Sequence, residues 1–284
     1  MTTKEIISAL ERGARANRND PCRQGNLIHI SGPGAVIMTG DLHGCTPNFE
    51  KLCRFARLDA NPDRHLILHE LLHYHGDQTE PDQCHSYQLV AQAAVLKARF
   101  PNQVHILLGN HAMAQVTRDE ILKNGKPMVR ALNTGLYAAF TENAGPIMQA
   151  LDEYIMSLPI AVRTDNRIWL SHSLPSKRHL TAFDNDIFEK RLLLDDMRSN
   201  PSLHALVWDR AHTDALLEEL SEMWNAETFI VGHQPQANGR KHPHPRLIIL
   251  ASDHGHGCYL MFDLNRRYEH DELFDLTRPI ASIE

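Results

Sequence analysis

Four apolar runs in this chain end the same way, and that repeated ending constrains the fold more than any other feature. Residues 35–38 run into Gly40-Asp41-Leu42-His43-Gly44, and residues 104–108 run into Gly109-Asn110-His111. Residues 167–170 lead to Ser171-His172-Ser173, and residues 228–231 lead to Gly232-His233-Gln234-Pro235. Any one of these is an ordinary turn. Four in succession, each behind a strand-length apolar run, describe strand ends that share one edge, where the ligands of α/β proteins gather. Carboxylate, amide and imidazole donors delivered there can converge on metal ions.

Between these strands the apolar spacing changes to every third or fourth residue. Residues 47–58 place Phe49, Leu52, Cys53 and Ala56 on one helical face, and the same spacing predicts helices over 2–15, 82–100, 112–122, 184–198 and 213–225. Further strands are expected at 66–68, 160–163, 247–251, 258–263 and 268–276. The alternation is that of an α/β chain with a largely parallel inner sheet. Residues 125–158 read as mostly helical, a cap or an insertion. No Pro/Gly/Ser-rich linker divides the chain, so residues 1–284 are expected to form one domain.

Charge narrows the partners. Twenty-nine Lys and Arg against 35 Asp and Glu give a net charge of −6, leaving no basic excess to neutralise a nucleic-acid backbone. A phosphorylated small molecule or phosphoprotein remains compatible with it. Five cysteines (22, 45, 53, 84 and 258) form no C-x-x-C pair, which points to a reduced, cytoplasmic protein. The first twenty residues read as a charged amphipathic helix rather than a signal peptide, and no run approaches the roughly 18 apolar residues of a membrane span. A soluble protein is expected. Nineteen histidines are an unusual load, and several follow apolar runs.

One block supports a different chemistry. His69-Glu70-Leu71-Leu72-His73 is an HExxH motif, two zinc ligands one helical turn apart with a glutamate base between them. It continues to Gly76, but Thr79 stands where a third histidine would complete the longer zinc-peptidase signature. The motif needs a helix, yet His69 follows a strand-like run. A peptidase would also leave the four strand-end motifs without a purpose.

Taken together, the motifs resemble those of the calcineurin-like metallophosphoesterase superfamily: D-x-H, GD-x-x-D-R, GNH, a lone His, then GH. The resemblance runs from Asp41 to His233, and Gly232-His233-Gln234-Pro235-Gln236 is most similar to the phosphoprotein-phosphatase-like branch. So is Leu206-Val207-Trp208-Asp209-Arg210, where that branch carries a basic residue that contacts phosphate. The second block departs from the pattern. Glu70 replaces the metal-bridging aspartate, His73 stands where an acid orients the catalytic histidine, and Tyr74 replaces a phosphate-binding arginine.

The resemblance implies a two-sheet αββα sandwich and two divalent metal ions per chain, manganese first, with iron or zinc as alternatives. Asp41 and His43 would bind one ion, Asn110, His172 and His233 the other, and Glu70 would bridge them. His111 would act as general acid and Arg210 would bind substrate phosphate. The implied activity is hydrolysis of phosphomonoesters, including phosphoserine or phosphothreonine in proteins. Alternatives are a nucleotide or dinucleoside polyphosphate hydrolase on the same site, the zinc peptidase, and a degenerate metal- or phosphate-binding module. In this scheme His69 has no role, and the crowded His65, His69, His73, His75 and His85 take no individual assignment, except that His73 could hold His111. The Asp253-His254-Gly255-His256-Gly257 loop is a candidate to line the cleft.

Overall fold

A computed structural model describes residues 1–74 and 82–284. The strands are, in chain order, β1 (Arg23–Gln24), β2 (Leu27–Ile30), β3 (Ala35–Asp41), β4 (Arg64–His69), β5 (Val104–Leu107), β6 (Leu122–Lys123), β7 (Lys126–Pro127), β8 (Ala161–Thr164), β9 (Ile168–Ser171), β10 (Thr228–Val231), β11 (Arg240–His244), β12 (Leu247–Leu250), β13 (Cys258–Asp263) and β14 (Thr277–Pro279). The α-helices are α1 (Thr3–Arg18), α2 (Thr46–Ala56), α3 (Tyr87–Arg99), α4 (Asn110–Thr117), α5 (Met128–Phe140), α6 (Ala144–Ile155), α7 (Lys177–Leu180), α8 (Leu194–Ser199), α9 (Pro201–Trp208), α10 (Asp214–Trp224) and α11 (His270–Phe274).

One sheet has the order β14-β13-β3-β4-β5 and the other β1-β2-β8-β9-β10-β12-β11. β3, β4 and β5 run parallel, as do β9, β10 and β12, while β13, β11 and β8 introduce antiparallel pairs. Both sheets are therefore mixed, with a parallel centre. Alternate residues of the same strands enter two different cores. Val36, Met38, Ile67, Ile168, Leu170, Ile230, Ile248 and Leu250 meet between the sheets. Their neighbours Ile37, Leu66, Leu68, Trp169, Phe229, Val231 and Ile249 join the helices in the larger core. A period of two with both faces buried is what a strand covered on each side must show, and it yields the αββα sandwich.

Local chemistry sets the helix starts. Thr2 and Glu5 form a capping box at α1, Thr213 accepts from Leu216 N at α10, and Asn200 accepts from Ser202 N and Leu203 N ahead of Pro201 at α9. Residues 125–158 are not a detached cap. Leu132, Leu136, Ile147, Leu151 and Tyr154 share the larger core with Leu10 of α1 and Ala94 of α3.

Two expected elements differ. Residues 184–198 are not one helix but a 3-10 turn, Asn185–Phe188, followed by α8. The Asn26 side chain donates to the carbonyls of Ile187 and Lys190, withdrawing both from a helical ladder, and Asp196 Oδ2 accepts from Leu193 N at 2.9 Å to start a new helix. Residues 268–276 are not a strand. Tyr268 folds back so that its hydroxyl accepts from Asp263 N at 2.8 Å, and α11 follows before β14 pairs with β13. Elsewhere the helix expected over 82–100 begins at Tyr87. The one expected over 112–122 begins at Asn110 and stops at Thr117, where Arg118 turns left-handed. Among the described residues no helix is long and apolar enough to cross a membrane.

Candidate active site

The sheets meet where the sequence motifs end. An isolated bridge joins Asp41 to Ala251, Ser252 N donates to Asp41 O, and Gly40 N donates to Ser252 Oγ. Around this joint lie Asp41 at the end of β3, Glu70 after β4, Asn110 at the start of α4, His172 after β9 and His233 after β10. Both sheets thus contribute.

Asn110 Oδ1 lies 2.8 Å from His172 Nε2 and 3.1 Å from His233 Nδ1, and those two nitrogens are 3.1 Å apart. Burial lowers His172 and His233 to about 3, so both rings are neutral. Three lone-pair atoms in so small a triangle form a donor set for a cation. Asp41 stands beside it, with Oδ1 3.5 Å from His172 Nδ1 and Oδ2 3.6 Å from His43 Nε2. Burial alone would raise its pKa, but His172, His43 and the His233 N–H outweigh that and hold it well below the usual carboxylate range. His43 donates Nδ1–H to Leu72 O at 2.9 Å, which leaves Nε2 with its lone pair facing Asp41.

Glu70 is bound at the start of α4. Its Oε2 accepts from His111 N at 2.9 Å and Ala112 N at 3.4 Å, where the helix dipole favours negative charge. Gly109 leaves the room for this approach, since a Cβ there would fall on Glu70 Oε2. Even so, burial and the Asp41 charge push Glu70 up to about 8. Glu70 Oε1, His172 Nδ1 and both ring nitrogens of His69 are buried without a hydrogen-bond partner. Orphans of this kind cost roughly 1–3 kcal/mol each. Mixed oxygen and imidazole donors, a carboxylate that resists ionisation and unsatisfied lone pairs at one point fit divalent metal ions. The backbone is strained at the same place, with positive φ at His43 (40°), Glu70 (31°), His73 (64°) and His233 (64°).

His111 lies next to this set. Its Nδ1 is 2.9 Å from His73 Nδ1, and His73 Nε2 is 3.0 Å from Gln115 Oε1. Gln115 Nε2 donates to Asn133 Oδ1 at 2.9 Å, so Gln115 presents its oxygen to His73. His73 then donates Nε2–H to Gln115 and accepts Nδ1–H from His111, and the imidazole takes the place of an orienting acid. The His111 ring edge packs against His43, centroids 4.6 Å apart.

Arg210 is exposed, with its Nε 2.8 Å from His233 Nε2, and that nitrogen donates its N–H to Trp208 O at 3.1 Å, which leaves the lone pair on Nδ1. Its loop is fixed by the buried Asp209, whose Oδ2 accepts from Ser176 N, Ser176 Oγ and His179 Nδ1. Lys123, on the β6–β7 hairpin, carries no signal in the sequence. Burial lowers its pKa and Arg210 adds to that, while Asp253, Asp41 and Glu70 counteract it. Tyr74 packs near Gly44. In the Asp253–Gly257 loop, His254 Nε2 donates to Gln236 O at 3.0 Å and Asn48 donates to the Ser252 and His254 carbonyls. His65 pairs instead with His105 at 3.1 Å, in the Asp20–Lys97 network.

The HExxH geometry is not made. His69 closes β4, Glu70 turns to positive φ and no helix covers 69–74. His69 and His73 are then directed to different neighbours: His73 to His111, His69 to Asp41 and His172. This overturns the zinc-peptidase alternative. Gly76 and Thr79 of that signature, and His75, lie outside the described residues.

A two-sheet α/β sandwich with oxygen and imidazole donors at joined strand ends is the architecture of metal-dependent phosphoesterases. The chain belongs to the calcineurin-like phosphoesterase family, whose model matches residues 35–261, and members of that family generally bind divalent metals. It is 21% identical over 184 residues to a probable serine/threonine-protein phosphatase of Encephalitozoon cuniculi, covering 64% of this chain and 35% of that one. It is 29% identical over 97 residues to a PP2A-like serine/threonine-protein phosphatase of Saccharomyces cerevisiae, covering 34% of this chain and 23% of that one. The matches thus span about a third or less of those relatives' lengths. Among solved structures, a serine/threonine phosphatase from Saccharomyces cerevisiae with similarity to human phosphatase PP5 superposes with a TM-score of 0.65 at 12% identity, over 92% of this chain and 82% of the other. A cold-active protein tyrosine phosphatase of a Shewanella species gives 0.59 at 15% identity, over 94% and 84%. These likenesses are of fold.

Proposed function

We propose that this chain is a dinuclear-metal phosphoesterase that hydrolyses phosphomonoesters, phosphoserine and phosphothreonine in proteins among them, with residues 1–284 working as one domain. The Asn110–His172–His233 triangle beside Asp41, His43 and Glu70 carries the reading. Asp41 and His43 would hold one ion, Asn110, His172 and His233 the other, and Glu70 would lie between them. Two such ions, when bound, acidify water and neutralise phosphoryl charge.

The remaining work falls to side chains. His111 keeps Nδ1–H on His73, so Nε2 is the nitrogen that delivers a proton to the leaving ester oxygen. Burial, His43 and His73 hold its pKa well below the ordinary value, and an incoming phosphate dianion favours its charged form. A positioned acid contributes roughly 10²–10⁴-fold. Arg210 offers its terminal guanidinium nitrogens to phosphate oxygens, and Lys123 adds positive charge from the facing hairpin. A second reading, hydrolysis of nucleotides or dinucleoside polyphosphates on the same site, is favoured by Tyr74 standing in place of an arginine. Five free cysteines suit a cytoplasmic location.

The test is hydrolysis of an aryl phosphomonoester by metal-loaded protein, with His111→Ala alongside. Turnover that needs metal and falls at least about a hundredfold in the variant supports both the chemistry and the acid. Activity indifferent to His111 removes the acid. Activity on nucleotides alone selects the second reading, and bound metal without any turnover leaves the binding module.

A further inference from the structure

His69 is completely buried, and neither ring nitrogen has a hydrogen-bond partner. One of its nitrogens lies within 4.8 Å of both an Asp41 carboxylate oxygen and a His172 ring nitrogen. Gly232 keeps this corner open, since a Cβ there would come within 3.0 Å of His69 Nδ1 and collide with Asp41 Oδ1. His69 is placed by β4, whose last backbone N–H donates to Thr39 Oγ1 at 3.2 Å.

Three donor atoms that close together, without a hydrogen bond from His69 to either neighbour, are spaced for something between them. Two ligands of one ion, each about 2.1 Å from it, stand roughly 3–4 Å apart, so a small closure brings His69 onto an ion shared with Asp41. We propose that His69 is an additional ligand of the metal centre, on its Asp41 side. This rests on the reading that the chain holds two divalent ions. The extra imidazole makes the donor set richer in nitrogen, which favours zinc or iron over the more oxygen-seeking manganese.

X-ray absorption at the zinc edge of the wild-type protein, loaded with two zinc ions per chain, tests this without any substitution. Four imidazoles shared by the two ions (His43, His69, His172 and His233) are expected; three overturn the proposal. In parallel, zinc and manganese are titrated into metal-stripped wild type, His69→Gly, His69→Asn and Asp41→Asn, with circular dichroism confirming the fold. Both His69 variants should bind the weaker-held zinc at least about tenfold less tightly and lose little manganese affinity. If they bind zinc like wild type while Asp41→Asn loses an ion, the His69 assignment fails and the metal centre stands. If Asp41→Asn binds zinc unchanged, the centre itself has been misplaced.

Discussion

Gly109→Ala separates the proposed centre from the fold around it. Gly109 has φ −119° and ψ 174°, an extended conformation that alanine adopts freely, so the backbone is not strained. The added methyl would fall on Glu70 Oε2, 2.9 Å from Glu70 Cδ and 3.0 Å from His172 Cε1. The carboxylate must withdraw, and its bonds from His111 N (2.9 Å) and Ala112 N (3.4 Å) go with it. A hydrogen bond to a charged group is worth roughly 1.5–3 kcal/mol. If Glu70 is a ligand, that displacement weakens the affected ion by about 10- to 150-fold. Isothermal titration of metal into stripped protein reads the affinity, and thermal melting without metal reads the fold. A variant that still melts cooperatively, a few degrees below wild type, and binds one ion much more weakly is the expected result. Wild-type affinity for both ions would refute the placing of Glu70 between them.

Two further outcomes follow from side-chain networks. His73→Phe keeps the volume but removes the partner of His111 Nδ1; kcat on an aryl phosphomonoester should fall roughly tenfold, the worth of about 1.4 kcal/mol, with KM unchanged and His73→Asp recovering most of the loss. Away from the centre, buried Asp20 accepts from Lys97 Nζ at 2.5 Å and from His105 Nδ1 at 2.9 Å. Burial raises its pKa, but these partners prevail and lower it from 3.8 to about 2. A depressed carboxylate contributes stability above its unfolded pKa and loses it as pH falls through the folded one. The gap in unfolding free energy between wild type and Asp20→Asn should therefore shrink by about 2 kcal/mol between about pH 5 and pH 2, measured by urea denaturation.

Much of this architecture is legible in the chain because strand ends and site motifs coincide. Asp41, Asn110, His172 and His233 each stand two or three residues past the end of an apolar run, so their delivery to one edge follows from the parallel strands β3, β5, β9 and β10. Glu70 was legible for the same reason. His69 was not: its neighbour Glu70 absorbed the family pattern, and only the packing of β4 against β3 brings its ring to Asp41. Lys123 gave no signal, because a two-residue strand in a hairpin has no periodicity to read. The helix expected over 184–198 failed to a side chain far back in the chain, as Asn26 takes the carbonyls of residues 161 and 164 positions on that the helix would have used. Tyr268 and Asp263 overrode the strand expected at 268–276 by a local bond of the kind that propensity does not register.

The joint at Asp41 and Ala251 gives the donor set a mechanical meaning. Asp41, Glu70 and Asn110 are carried by one sheet, His172 and His233 by the other, with an apolar layer between the sheets. An ion held by members of both groups would be a rivet through the sandwich, and its binding energy would add to the stability of the whole domain as that of any native-state ligand does. Sliding the sheets by a single residue would carry every donor on one side out of reach. Occupancy of the centre and alignment of the two sheets are then one property, and a substitution deep in the inter-sheet layer could silence the site without touching any residue in it.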